Sequence, residues 1–321
     1  PMRHSLTAPV AAACLSATLV VCSGCAHREH AAGRRGDPVT VSDPSIAHAE
    51  GTFEGQGGLR LFEQSWRPAE PRAVLVIMHG LKDHSSRYAE TAEALARRGF
   101  AVHAFDLRGH GCSAGGRVWV DRFDQYVSDL AVFVDRVKAR EPGKPVFVMG
   151  HSMGGAIVTT YVLTRKPDLR GLVLSAPALK PGADVSPFLI GTAGLFSAIA
   201  PGLGLLDLKN EDFSRDPAVV AAMGKDPLIE QGAGPARTAS ELLNALVEIG
   251  KHMEQVKLPF LVMHGTKDKL TNPEGSKELN ARAGSTDKSL KIYEGLWHDL
   301  LHEPERAQVL SDLTSWLDAH A

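Results

Sequence analysis

The chain has 321 residues, 35 Lys and Arg against 37 Asp and Glu, and a formal net charge of −2. A near-neutral chain lacks the basic field that drives counterion release, which argues against a nucleic-acid partner. A hydrophobic share of 44% rules out intrinsic disorder, and a mean hydropathy of −0.09 rules out a polytopic membrane protein.

Cys14, Cys22 and Cys25 crowd the N-terminus and leave Cys112 alone in the body. A disulfide framework needs paired cysteines within the fold, so the body is expected to carry no internal disulfide. Arg3 and His4 precede an uncharged run, apolar from Val10 to Val21, which reads as a secretory signal. The run is short and weak for a permanent transmembrane helix. Cys22-Ser23-Gly24-Cys25 resembles a bacterial lipobox, which would make Cys25 the acylated first residue of the mature protein. Cys22 stands where that motif usually has an aliphatic residue. An exported protein is expected, with a cell-envelope lipoprotein, a periplasmic or secreted enzyme and an uncleaved anchor all open. Residues 26–50 are small, charged and Pro-interrupted, and read as a flexible tether.

From residue 51 onward, short apolar runs alternate with helical stretches. Strands are expected at Leu59–Trp66, Val74–His79, Ala101–Asp106, Val146–Met149, Gly171–Ser175, Phe260–His264 and Leu290–Tyr293. Helices are expected at Arg87–Arg98, Phe123–Arg140, Met153–Arg165, Ser240–Met253, Pro273–Ala283 and Pro304–Leu317. Apolar runs without alternation, such as Val74–Met78, suit strands buried on both faces, and the βαβα order predicts a doubly wound, mostly parallel α/β sheet. The rhythm breaks between about 177 and 238. There Pro187–Leu206 carries no charged side chain and is interrupted by Gly191, Gly194, Pro201, Gly202 and Gly204. Lying between two sheet strands, it reads as an inserted helical cap, either a lid over a lipid cleft or a pair of packed amphipathic helices.

Gly-x-Ser-x-Gly occurs twice, around Ser113 and around Ser152. Ser152 follows a strand directly and opens a helix, the strand–turn–helix elbow that lifts a nucleophile above a sheet. Ser113 lies in a glycine-rich loop with no adjacent helix, so Ser152 is the expected nucleophile. A serine hydroxyl needs a base, and the base an orienting carboxylate. Chain order in such folds is serine, acid, histidine, with the acid and base in loops at the carboxyl ends of late strands. Asp268 and His298 occupy those loops, and Asp106, at the end of an earlier strand, is a competing acid. Asp299 and His302 read as solvated or helix-capping groups, and His79, His151 and His264 as packed or turn histidines. The N–H groups of Met153, after the nucleophile, and Leu81, in the loop after Val74–Met78, are the expected oxyanion donors. No Cys/His cluster has metal-site spacing, so no metal is expected.

These segments resemble the monoacylglycerol lipase and lysophospholipase group of serine α/β-hydrolases. The matching pieces are HGLKDHSSRY (79–88), FDLRGHGCSAG (105–115), GHSMGGA (150–156), LSAP (174–177), SRDPAVV (214–220), HGTKDKLTNPEGS (264–276) and YEGLWHDLLHEP (293–304). The resemblance implies an α/β-hydrolase fold with a cap, a Ser152–Asp268–His298 triad, Leu81 and Met153 as oxyanion donors, and no cofactor. It implies a small single-chain lipid or ester as substrate, no nucleic acid, and membrane-surface association through a lipid anchor or the cap. Asp83 and Arg87 align with polar residues near the glycerol end of the substrate. Leu81-Lys82 departs from the small residues usual after His-Gly. A general carboxylesterase, a prolyl-aminopeptidase-type peptidase, a cofactor-free haloperoxidase and a weakly catalytic ligand-binding relative remain open.

Overall fold

A strand covered on both faces has no solvent side to mark with polar residues, and its sequence loses alternation. The computed structural model describes residues 43–180 and 187–321. The signal segment, Cys25 and the tether up to residue 42 lie outside the described residues. In chain order the elements are β1 (Ile46–Glu54), β2 (Arg60–Pro68), β3 (Ala73–Met78), α1 (Ala89–Ala96), β4 (Phe100–Phe105), α2 (Asp124–Arg140), β5 (Val146–His151), α3 (Met153–Arg165) and β6 (Gly171–Ser175). They continue through α4 (Pro187–Ile199), β7 (Gly204–Leu206), α5 (Pro217–Lys225), β8 (Gly234–Pro235), α6 (Ala236–His252), β9 (Phe260–Gly265), α7 (Pro273–Arg282), β10 (Lys288–Tyr293) and α8 (Arg306–His320). Every residue of β3, β4, β5, β6 and β9 is buried.

Eight strands form one sheet in the order β1-β2-β4-β3-β5-β6-β9-β10. The β1–β2 hairpin joins β4 antiparallel, and the strands from β4 to β10 run parallel. One apolar layer sets α2, α3, α6 and α7 against the sheet, and a second sets α1 and α8 against it. The fold is therefore the α/β-hydrolase architecture expected. From β3 the chain steps to β4 on one side and then to β5 on the other. That reversal opens a crevice at the carboxyl ends of β3 and β5, where ligands of open α/β sheets gather.

Between β6 and β9 the chain leaves the sheet, forming α4, the short antiparallel β7–β8 pair and α5, with α4 packed on α6. Among the described residues no helix is long and apolar enough to cross a membrane; α4 stops at Ile199, just before Pro201.

One expectation needs correction. Ile46–Glu54 was read as tether and unassigned chain, but it is β1, paired along its whole length with β2. Only Ile46 and Phe53 of this edge strand are buried, so it shows almost no apolar pattern.

A buried ion pair ties the loop after β4 to α2. Arg108 Nε and Nη2 donate to the two Asp129 oxygens at 2.7 and 2.8 Å, and Gln56 N donates to Asp129 Oδ1 at 2.8 Å. Removing one partner strands the other charge in the interior. Asp129→Ala should lower the free energy of unfolding by about 3–5 kcal/mol in a urea titration.

Candidate active site

The turn from β5 into α3 holds Ser152 at φ 54° and ψ −122°, a conformation that side chains other than glycine rarely adopt. It exists because the backbone around it is pressed close. A methyl on Gly154 would lie 2.4 Å from Met78 O and 2.5 Å from His79 O, so only glycine lets α3 start against the end of β3. A methyl on Gly80 would meet Ser152 Cβ at 2.9 Å, which puts the loop carrying Leu81 beside the serine. Met153 N–H, at the first position of α3, is one of the donors a helix cannot satisfy internally, and the helix dipole there favours negative charge. Leu81 is buried next to this turn, and its neighbour Lys82 also has a positive φ, of 54°. Lys82 Nζ donates to Leu208 O of the cap at 2.6 Å, so the departure at Leu81-Lys82 anchors the loop to the cap.

Asp268 stands in the loop after β9 and His298 in the loop after β10, both side chains fully buried. His298 Nδ1 donates to Asp268 Oδ2 at 2.8 Å. Asp268 Oδ1 accepts Leu270 N at 2.8 Å and Thr271 N at 2.9 Å, and Oδ2 also accepts Thr271 Oγ1 at 2.8 Å. His264 Nε2 stands 3.1 Å from the same oxygen. Burial alone would raise the Asp268 pKa, but His298 and His264 override it and hold the carboxyl far below its usual range. For His298, burial opposes protonation, and the Asp268 charge outweighs it and raises the pKa. With Nδ1 held by the carboxylate, Nε2 is the free acceptor, and it is buried with no hydrogen-bond partner among the described residues. The ring packs on His151, with centroids 4.7 Å apart, and on Phe213, edge-to-face at 5.6 Å.

The competing groups are engaged elsewhere. Ser113 Oγ donates to Asp106 O at 2.5 Å and accepts Phe62 N at 2.9 Å, making its glycine-rich loop a brace. Asp106 accepts Ser85 N, Ser85 Oγ and Cys112 N within 2.8 Å, so it organises loops. His79 bridges Gly80 O and Leu107 N. Burial, then the neighbouring His298 charge, pushes His151 down to about 4 and keeps it neutral. His264 was read as a satisfied turn histidine; it is satisfied, by Ser276 Oγ at 2.7 Å and by contact with Asp268 itself. Nothing in local sequence marks that pairing.

Asp83 is buried, Arg87 half-buried, and the two are paired with each other. Arg87 donates to Asp83 at 3.0 Å and to Asp299 at 2.5 Å, while Tyr88 Oη and His84 N also donate to Asp83. Asp299 bonds His302 at 2.7 Å, and His302 Nε2 reaches Arg87 O at 2.9 Å. Asp299 and His302 are therefore neither solvated nor capping. They close a buried network between the loop after β3 and the loop carrying His298. The polar atoms of Asp83 and Arg87 thus serve one another and Asp299. Among the described residues no group of three or more His, Cys, Asp and Glu is arranged to hold a metal ion.

Residues 69–305 match the family model described as serine aminopeptidase, S33. The chain is 39% identical over 281 residues to the monoacylglycerol lipase of Mycolicibacterium smegmatis, covering 86% of this chain and 99% of that one. It is 33% identical over 278 residues to the monoglyceride lipase of Homo sapiens, covering 85% and 89%. The crystal structure of the Paleococcus ferrophilus monoacylglycerol lipase superposes with a TM-score of 0.74 at 30% identity, covering 81% of this chain and 99% of that one.

The two rings in contact are expected to titrate in opposite directions. In histidine NMR, His298 should titrate above the ordinary value of about 6.5 and His151 well below it, and Asp268→Ala should move His298 downward.

Proposed function

The chain belongs to the serine aminopeptidase S33 family and is a serine ester hydrolase; on that premise we propose that it hydrolyses monoacylglycerols through an acyl-enzyme on Ser152. The observation that carries the proposal is the buried, unpartnered Nε2 of His298, whose opposite nitrogen is locked to Asp268. In this reading Nε2 takes the proton of Ser152 Oγ as the oxygen attacks the ester carbonyl. Asp268 stabilises the imidazolium, and the N–H groups of Leu81 and Met153 stabilise the oxyanion. The imidazolium then protonates the departing glycerol oxygen. Water, deprotonated by the same nitrogen, attacks the acyl carbonyl and frees the fatty acid. No step calls for a cofactor.

The substrate class rests on the named relatives and on the cap. Leu195, Ile199, Leu203 and Val247 are exposed large apolar residues in the cap region and on α6, suited to a lipid surface. Lysophospholipids, which share the single acyl chain, fit the same chemistry. The leader motif supports export, with Cys25 as a lipid anchor at the cell envelope.

Ser152→Ala should lower kcat by about 10⁶-fold on long-chain monoacylglycerol, the scale of nucleophile removal in comparable triads. Turnover of short nitrophenyl esters with none of monoacylglycerol would replace the lipase reading by a carboxylesterase one. Because His298 must be neutral to act and its pKa is raised, kcat/KM should climb with pH through a midpoint above about 6.5. The stability from the Asp268–His298 pair runs the other way. The depressed Asp268 contributes above about pH 4, losing its share as pH falls, and the raised His298 contributes fully below about 6.5, losing its share as pH rises through its folded value. Thermal unfolding at pH 5 and pH 9 should show the pair favouring the acidic side. Metabolic labelling with an alkynyl fatty acid should mark the wild type and leave Cys25→Ser unmarked.

A further inference from the structure

Ser214, Arg215 and Glu303, in segments that the sequence comparison singled out, have no role in the chemistry above, yet they meet behind the base. Glu303 is fully buried. Its Oε1 accepts Ser214 Oγ and Arg215 N, both at 2.7 Å, and its Oε2 accepts Arg215 Nε at 2.6 Å and Trp297 N at 3.1 Å. Trp297 immediately precedes His298. Phe213 immediately precedes Ser214, sets its ring edge-to-face on His298, and accepts Asp299 N on its carbonyl at 2.8 Å. Asp212 pairs at 3.2 Å with Lys269, which neighbours Asp268 and lies 3.7 Å over the Trp297 ring. The cap segment Asp212–Arg215 thus lies against Trp297–Asp299, joined to it by contacts before and after the base in sequence.

We propose that Glu303 is a positioning residue for the reaction, clamping the cap segment Asp212–Arg215 to the His298 loop so that Phe213 walls one side of the imidazole. The inference rests on His298 being the base. Asp268 fixes the ring at Nδ1 but leaves rotation about that bond free. His151 and Phe213 both pack on the ring and limit that rotation, and Phe213 has no anchor in the sheet. Besides packing on Met223 and Ile229, it is placed by its carbonyl and by the three bonds from Ser214 and Arg215 to Glu303, whose fourth bond, from Trp297 N, ties in the base loop. An amide at 303 cannot replace the carboxylate, because its NH2 group would face donors where an acceptor is required. The result is a base loop and a ring wall that shift together, and a misplacement of about 1 Å at a reacting group costs about 100-fold in rate.

The test uses the full chain with Glu303→Gln, Phe213→Leu and Ser152→Ala. Active sites are titrated to completion with a fluorophosphonate, and kcat and KM are measured on a short nitrophenyl ester. Glu303→Gln should lower kcat per titrated site by about 10–100-fold with KM nearly unchanged, and Phe213→Leu should fall in the same direction by less. A purely structural Glu303 would instead lower the number of titratable sites and the melting temperature while leaving kcat per site at the wild-type value. That result, with Ser152→Ala inactive, overturns the inference alone. If Glu303→Gln fails to fold, wild-type kcat per site in Phe213→Leu overturns it. Full turnover by Ser152→Ala overturns the underlying catalytic reading, and the inference with it.

Discussion

Steric pressure at the junction of β5 and α3 governs the arrangement of the site. Holding Ser152 in a left-handed turn requires the first turn of α3 to sit directly on the end of β3, with no room for a side chain at Gly154. That contact brings the helix N-terminus, the loop after β3 and the serine within van der Waals reach of one another. The strain is sustained by the sheet beneath it, whose central strands are buried on both sides and cannot relax without opening the core. The sheet reversal between β3 and β5 puts the crevice at the same spot. The proximity of Leu81, Ser152 and Met153 therefore follows from one packing contact.

Around that turn, burying charge imposes the second layer of order. Asp268 is ionised in the interior because two backbone amides, a hydroxyl and two imidazoles face it. Asp83, Arg87, Asp299 and His302 form a separate closed set on the other side of the His298 loop, and Glu303 with Ser214 and Arg215 a third. The loop from Trp297 to Glu303 is thus gripped from several directions by charge-assisted bonds, which are strong when shielded from water. On the proposed mechanism, His298 would gain and lose a proton on a loop with little freedom to move.

What could be read from sequence followed from how local each signal is. The buried parallel strands announce themselves as apolar runs, and the elbow, acid loop and base loop each follow a strand directly, so Ser152, Asp268 and His298 emerge in order. β1 was missed because an edge strand is held by ladder hydrogen bonds rather than by burial, and Ile46–Glu54 is mostly small and polar. The true setting of Asp83 and Arg87 was hidden because Asp299 is 212 residues from Arg87, and only the fold joins them. His264 looked ordinary for the same reason. Long-range polar closure leaves no periodicity, whereas burial does.

The hairpin at the sheet edge also has a mechanical meaning. Ile46 pairs with Pro68 at the open end of β1–β2, farthest from their turn. Tension applied to the chain ahead of Ile46 would therefore meet the ladder one rung at a time and peel β1 like a zipper. Such a load is dissipated at the outermost strand, with β2 and β4 still between it and the β3–β5 pair on which the serine is mounted.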